Sequence, residues 1–221
     1  MTESMTTSQD SVMARLRTET RPAHDRIEAV PFSTAILEER LGRSRFAGQL
    51  VCWHRVHNAM ESTLSASDDT AVTTVWNTGM ARAHLLEADL SHHGSPAVHA
   101  AADDATTATV DWLTSLGSTD PRALLGCLYV LEGSKMGGTI LRKRLQSAYG
   151  CEPEHLSYFW SSGVSPMPDF VAFKERMESV LADRGDQDRV VAAASDMFDH
   201  LTDVLLGLVQ DEESDGSTPE A

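Results

Sequence analysis

Apolar residues recur every three or four positions along nearly the whole chain, and nowhere does a strand-like alternation last. That pattern predicts an all-α protein whose helices each bury one face in a common core. The segment LYVLEGSKMGGTILRKRL, at positions 128–145, shows both the pattern and an exception to it. Leu128 and Leu131 are three apart and Leu141 and Leu145 four apart, yet Gly133, Gly137 and Gly138 sit between them. Each glycine costs about 1 kcal/mol relative to alanine in a helix interior. A helix that tolerates three of them needs a reason outside its own stability.

Turn and cap residues divide the pattern into elements. Helices are expected over about 11–29, 44–64 (with Ser44 as N-cap) and 70–93, the last ended by Gly94. Ser95-Pro96 opens a fourth, a capping residue followed by proline at the first helical position, and Gly117 closes it. Asp120-Pro121 opens a fifth, which Gly150 closes. It would span about 29 residues, roughly 43 Å if straight, and is expected to bend at its glycines. Pro153, Pro166 and Pro168 mark a loop region with a short turn over 154–160, and helices follow at about 169–182 and 186–209. The expected organisation is a flexible N-terminus at 1–10, one helical domain at 11–210 and a disordered acidic tail at 211–221.

With 221 residues, 41% hydrophobic and 23% charged, the chain suits one globular domain. No apolar run approaches the ~20 residues that span a bilayer, and MTESMTTSQD at the start has neither the basic opening nor the apolar stretch of a secretory signal. No membrane is expected as a partner. A formal charge of −15 would repel phosphate backbones, which argues against nucleic acid. The same acidity suits a solvated surface or a basic electron-donor protein. Cys52, Cys127 and Cys151 are odd in number and form no CxxC, so neither a disulfide framework nor a zinc site is indicated, and a reducing cytoplasm fits.

LRTETRPAHDRIE, at 16–28, gathers groups of a different kind. His24 and Glu28 are four apart and share a helical face, and Arg17 lies two turns before His24 on nearly the same stripe. A carboxylate that accepts one ring N–H of a histidine fixes the tautomer of an imidazole whose other nitrogen binds metal. The cation suits an acidic group on a ligand. Histidine–glutamate pairs also occur on helix surfaces with no ligand, and the spacing alone does not choose. Pro22 is expected to kink this helix.

Taken together, these two segments resemble the biliverdin-producing heme oxygenase family, in its bacterial branch. Thr20-Arg21-Pro22-Ala23-His24 is similar to the early helix that supplies the proximal heme ligand. Tyr129-Val130-Leu131-Glu132-Gly133-Ser134-Lys135-Met136-Gly137-Gly138 is similar to the distal helix over the opposite heme face. HLLEADLSHHG at 84–94 looks like the family's LExDL helix end, and FKERM at 173–177 with RVVAAASDMF at 189–198 looks like its last two helices. The resemblance covers about 16–206. It implies an all-α, single-domain heme oxygenase-like bundle with a kinked, glycine-containing distal helix. Gly133 and Gly137 would then form one flat face against the macrocycle and Gly138 would add flexibility. Close helix packing through small residues is the alternative.

By the same resemblance the chain is an enzyme that cleaves heme b oxidatively to biliverdin, CO and ferrous iron. Heme is both substrate and cofactor, O₂ the oxidant. Electrons come from an external donor such as ferredoxin or a flavin reductase, and a bilin-accepting protein is a further implied partner. His24 is the implied axial ligand of the heme iron, with Glu28 on its other nitrogen. Arg17 and Lys174 are implied to pair with the propionates, Arg142 and Lys143 being alternatives, and Tyr129 and Phe198 to contact the heme. Gly133, Ser134 and Gly137 are the implied catalytic wall.

One position departs from part of the family. Many animal members carry an aspartate after the first distal glycine, where it orders water. Here Ser134 offers a hydroxyl, which orders water but holds no charge. Bacterial members with EGS share this feature. Glu132 is a candidate substitute, turned roughly 100° from Gly133 on the helix. The departure keeps open a second reading, a non-catalytic heme-binding or heme-trafficking protein of the same fold. A di-iron bundle is a third, prompted by His57 with Glu61 and His84 with Glu87. It requires two Glu-x-x-His pairs, and only Glu152-x-x-His155, interrupted by Pro153, has that order. Met136 reads as a packing residue, and His92 and His93 as helix-end residues.

Overall fold

The computed structural model describes residues 11–159 and 165–209. The described chain forms α1 (Val12–Glu19), α2 (Arg21–Ala29), α3 (Pro31–Leu37), α4 (Arg43–Ser65), α5 (Thr70–Val75), α6 (Ala83–His93), α7 (Ala100–Thr119), α8 (Leu124–Tyr149), α9 (Met167–Val180) and α10 (Arg184–Gly207). Short 3₁₀ segments lie at Thr78–Met80, Pro121–Ala123 and Pro153–Phe159, and no strand occurs among the described residues. The all-α expectation holds. Residues 1–10 and 211–221, expected to be flexible, and Trp160 in the expected turn lie outside the described residues.

The long elements follow their apolar stripes, but several boundaries differ, each for a local reason. The expected 11–29 helix is two helices that meet at Thr20. Pro22 cannot donate to the helical ladder. The buried Thr20 hydroxyl instead bonds the Leu16 carbonyl at 2.6 Å. The expected 70–93 helix is broken after Val75, because Asn77 turns its side chain onto the Gly79 N–H at 3.1 Å. Such local side-chain bonds compete with the helix. The fourth helix starts at Ala100, capped by His99 rather than opened by Ser95-Pro96, and α4 starts after Gly42 with no cap from Ser44. α3 was not anticipated; Pro31 opens it, and Phe32 and Ile36 bury its inner face.

Gly117, expected to end a helix, lies inside α7. A Cβ there would sit 2.0 Å from Thr63 Cγ2, so its absence lets α7 meet α4 closely. Gly126 does the same for α8 on α10, where a Cβ would fall 2.0 Å from the Val190 carbonyl oxygen. Gly150, left-handed at φ 58°, does end α8 as expected. α8 is one continuous helix through Gly133, Gly137 and Gly138, with no break at the glycines.

Two apolar clusters build the interior. One joins Leu16 of α1, Met60 of α4, Leu125 of α8, Phe173 of α9 and Met197 of α10. The other gathers Phe32, Phe46, Leu86, Leu145, Leu156 and Val204. A cavity opens where they meet, for its wall takes residues from both. No helix is long and apolar enough to cross a membrane among the described residues.

Candidate functional site

The cavity has a volume of about 660 Å³, inside the range of roughly 300–1,000 Å³ typical of cofactor sites. α2 forms one wall and the glycine segment of α8 another. Leu37 and Ile140, 44% and 60% exposed, stand at its lining. Side chains of that kind left in water favour an apolar occupant.

On the α2 wall, His24 has its Nδ1 shielded from solvent with no hydrogen bond inside normal range. The nearest carboxylate, Glu28 Oε2, lies 3.5 Å from it. Asp25 is further, at 3.9 Å, and is held by Arg21 at 2.7 Å. Phe198, from α10, meets the imidazole edge-on with ring centroids 5.6 Å apart. The carboxylate favours the proton on Nδ1, and the phenyl ring limits rotation. Nε2 is left with its lone pair for a ligand, the usual arrangement of a metal-binding imidazole.

The α8 wall separates the three glycines. A Cβ built on Gly133 or Gly137 would meet nothing within 4 Å. These two do not serve helix packing; the space their side chains would occupy belongs to the cavity. Gly138 differs, since its Cβ would touch the Phe159 carbonyl oxygen at 3.4 Å. Its contribution is close packing of α8 on the Pro153–Phe159 segment rather than the flexibility expected of it. A bare stretch of α8 and a histidine edge thus line the same cavity.

Charges line the cavity unevenly. Arg17 stands beside Tyr129, whose phenol is pushed up in pKa by burial and held back by Arg17 and a hydrogen bond with Thr20. Lys135 is tied to Glu132 at 2.6 Å, and Glu132 is buried off the cavity wall. Glu132 is therefore neutralised by Lys135 and does not take the place of a distal carboxylate. Ser134 lines the cavity and donates to the Leu131 carbonyl at 2.7 Å.

Behind the α8 wall lies a buried polar network. Tyr158 Oη is 3.0 Å from His57 Nε2, and His57 Nδ1 is 3.4 Å from Glu61 Oε1. Glu61 Oε1 also accepts the backbone N–H of Arg82 at 2.7 Å and of Ala83 at 2.9 Å. Arg82 donates to the Tyr158 carbonyl and lies 4.3 Å over its ring. Burial lowers the His57 pKa despite the opposing Glu61. Burial alone would raise Glu61, but bonds from His57 and from the two N–H groups outweigh it and hold it low.

The structure thus brings Arg17, His24, Glu28, Tyr129, Gly133, Ser134, Gly137, Gly138 and Phe198 to one cavity. Lys174 is not among them. It sits on the exposed stripe of α9 in a shallow groove with Val171, Glu175 and Glu178. Arg142 and Lys143 also lie off the cavity wall, whereas Met136, read as packing, lines it. Tyr158, Arg82 and Gln49 are lining residues that sequence reasoning missed. The Gln49 Oε1 is buried without a hydrogen-bond partner, an acceptor placed for a donor in the cavity. His57 with Glu61 was visible as a helical pair, but its third member, Tyr158, comes from a distant segment with no spacing to reveal it. Among the described residues, His24, Asp25 and Glu28 are the one group whose ligand atoms converge enough for a metal ion, so no second pair supports a di-iron centre. His92 and His93 do more than end α6: His92 stacks on His155 at 4.0 Å and His93 Nε2 donates to the His155 carbonyl at 2.8 Å.

A family model described as heme oxygenase matches residues 10–206. Among solved structures, heme oxygenase-1 from the cyanobacterium Synechocystis sp. PCC6803, determined in complex with heme, is similar at a TM-score of 0.82 and 21% identity, over 90% of this chain and 92% of that one. Heme oxygenase from Leptospira interrogans is similar at 0.80 and 19% identity, over 88% and 98% of the two chains. A domain of unknown function with a heme oxygenase-like fold, from Shewanella denitrificans OS217, is similar at 0.71 and 17% identity, over 95% and 98%. A search of curated proteins finds no match.

Proposed function

The chain belongs to the heme oxygenase family, and on that premise we propose that it binds heme between α2 and α8 and cleaves it oxidatively to biliverdin, CO and ferrous iron. The observation that carries this reading is the pairing of an imidazole oriented by Glu28 and Phe198 with an open wall at Gly133 and Gly137.

Bound heme supplies the iron that activates O₂ and the ring that is cut. The chain's own residues do the rest. His24 would hold the heme iron through Nε2, with Glu28 as the nearest carboxylate to its Nδ1. Held by an imidazole, the iron would lack the strong electron donation that a thiolate ligand gives. Gly133 and Gly137 carry no side chain into the cavity and would let the main chain of α8 come close to the bound ring. Arg17, at the cavity wall beside Tyr129, is the cation placed for a propionate. Lys174, one turn after the cavity-lining Phe170 but outside the lining itself, is the more distant candidate. Electrons would come from an external donor of the ferredoxin or flavin-reductase kind. Three free cysteines fit a reducing cytoplasm.

One observation favours the non-catalytic alternative, a heme carrier. Neither polar group beside Gly133 offers a free carboxylate to the cavity: Ser134 donates to a carbonyl, and Glu132 is buried against Lys135. Turnover separates the readings. Heme-loaded protein given ascorbate, or ferredoxin with its reductase, should lose its Soret band, release CO and gain the red absorption of biliverdin. A pigment that survives these reductants in air makes the protein a carrier.

A further inference from the structure

The hydroxyls that line the cavity are all tied to protein partners, and one amide is not. Thr20, Ser33 and Ser134 donate to the carbonyls of Leu16, Ile27 and Leu131 at 2.6, 2.7 and 2.7 Å. Tyr158 meets His57 at 3.0 Å, and Tyr129 bonds with Thr20. Gln49 of α4 is 6% exposed and lines the same cavity, yet its Oε1 has no hydrogen-bond partner. Phe46 and Trp53, three before it and four after it, share its stripe of the helix. Phe46, with Phe32, Ile36 and Phe159, belongs to the apolar cluster against which Trp53 packs. A buried acceptor left unpaired is destabilising, and leucine would fill such a position without that cost. The amide is a group that lacks its ligand.

Heme has no donor to give it. The four ring nitrogens hold iron, the ring edge carries only C–H groups, and the polar groups are propionates. Cleavage changes this chemistry. Opening the ring at one bridge leaves two lactam ends, and loss of iron leaves N–H groups. A lactam presents an N–H and a C=O side by side in one plane, the complement of the C=O and NH₂ of a primary carboxamide. We propose that the Gln49 carboxamide recognises the lactam edge of the open-chain tetrapyrrole, Oε1 accepting the lactam N–H and Nε2 donating to the lactam carbonyl. Gln49 then distinguishes product from heme. The proposal rests on the heme-cleaving reading and adds to it a residue that binds product rather than substrate.

The setting suits that role. His24, which would hold iron, is on α2, so the two ligands are read by different helices. No protein bond to Oε1 has to break when the product forms. The terminal torsion of a glutamine is soft, and the amide can turn in place to meet the lactam edge. The amide is unpaired beside heme and paired beside the bilin, so one residue weakens the first ligand and strengthens the second. Apolar surroundings sharpen the difference, because a hydrogen bond is stronger where water is excluded.

Binding of three pigments to wild type and Gln49→Leu tests this without turnover. They are biliverdin, hemin, and protoporphyrin IX, which has neither iron nor a lactam. Gln49→Leu should lose about tenfold or more in biliverdin affinity relative to either closed ring, the scale of two net hydrogen bonds. It should take up hemin at least as tightly as wild type. Infrared difference spectra of bound biliverdin should show the lactam carbonyl stretch at higher frequency in Gln49→Leu, where the bond from Nε2 is gone. Without pigment, the variant should melt no lower than wild type, since the amide has no protein bond to lose. A lower melting temperature would make Gln49 a structural group and overturn the proposal. Equal changes for biliverdin and the closed rings would reduce Gln49 to cavity shape or a water site, and would overturn it while leaving the heme reading intact. Failure of wild type to take up hemin would overturn both.

Discussion

At the scale of single residues, the glycines do two kinds of work that their spacing does not distinguish. Gly117, Gly126 and Gly138 let main chains touch, whereas Gly133 and Gly137 face open space. Substitution separates the classes. Gly137→Ala should stabilise the heme-free protein by about 1 kcal/mol, because alanine is the better helix former. That raises Tm by about 2–4 °C for a chain of this size. The same methyl enters the cavity, so heme turnover should drop by about tenfold or more. Thermal unfolding and turnover of the one variant test both halves; a lower Tm would mean that Gly137 is a packing glycine after all. That His24, Glu28 and the distal glycines belong together was legible because each lies in a local motif, and they line one cavity. Lys174 stands outside the cavity lining, in an exposed groove with Val171 and Glu178, although Phe170, one turn before it on α9, lines the cavity.

At the scale of elements, the long helices were readable and their interruptions were not. Periodicity reports which face is buried, but a break such as that at Asn77 depends on one side chain finding one N–H. The Pro153–Phe159 segment shows the same limit. It carries Tyr158 and Phe159 to the cavity, and partners distant in sequence hold it there. Asp89 accepts the N–H groups of Ser157 at 2.6 Å and Tyr158 at 2.9 Å. Burial pushes the Asp89 pKa up from 3.8 to about 6, against those bonds and Arg82. Because the native value is the raised one, folding gains stability from this group as pH falls through about 6, and the gain is complete below the unfolded value of 3.8. By pH 5 it should amount to about 1 kcal/mol relative to alkaline pH, and at its fullest to about 3 kcal/mol. Urea unfolding of wild type and Asp89→Asn checks this: the stability difference should shift toward wild type as pH drops from 8 to 5, and a difference that ignores pH would contradict it.

At the scale of the molecule, the site lies where two apolar clusters meet, with one wall from α2 and one from α8. The fold class and the family were legible because both walls have sequence signatures. The buried polar network of His57, Glu61 and Tyr158 was not, because it joins α4 to a segment about a hundred residues away through one buried hydroxyl. An acidic chain of net charge −15 nevertheless lines this cavity with Arg17, Arg21, Arg82 and Lys135, of which Arg21 is paired with Asp25 and Lys135 with Glu132. Hemin titration followed by optical spectroscopy, on wild type and His24→Ala, tests the clamp most directly. Wild type should bind hemin tightly and one to one with a histidine-ligated spectrum, and His24→Ala should lose that spectrum. No saturable one-to-one uptake by wild type, or an unchanged spectrum in His24→Ala, would contradict it.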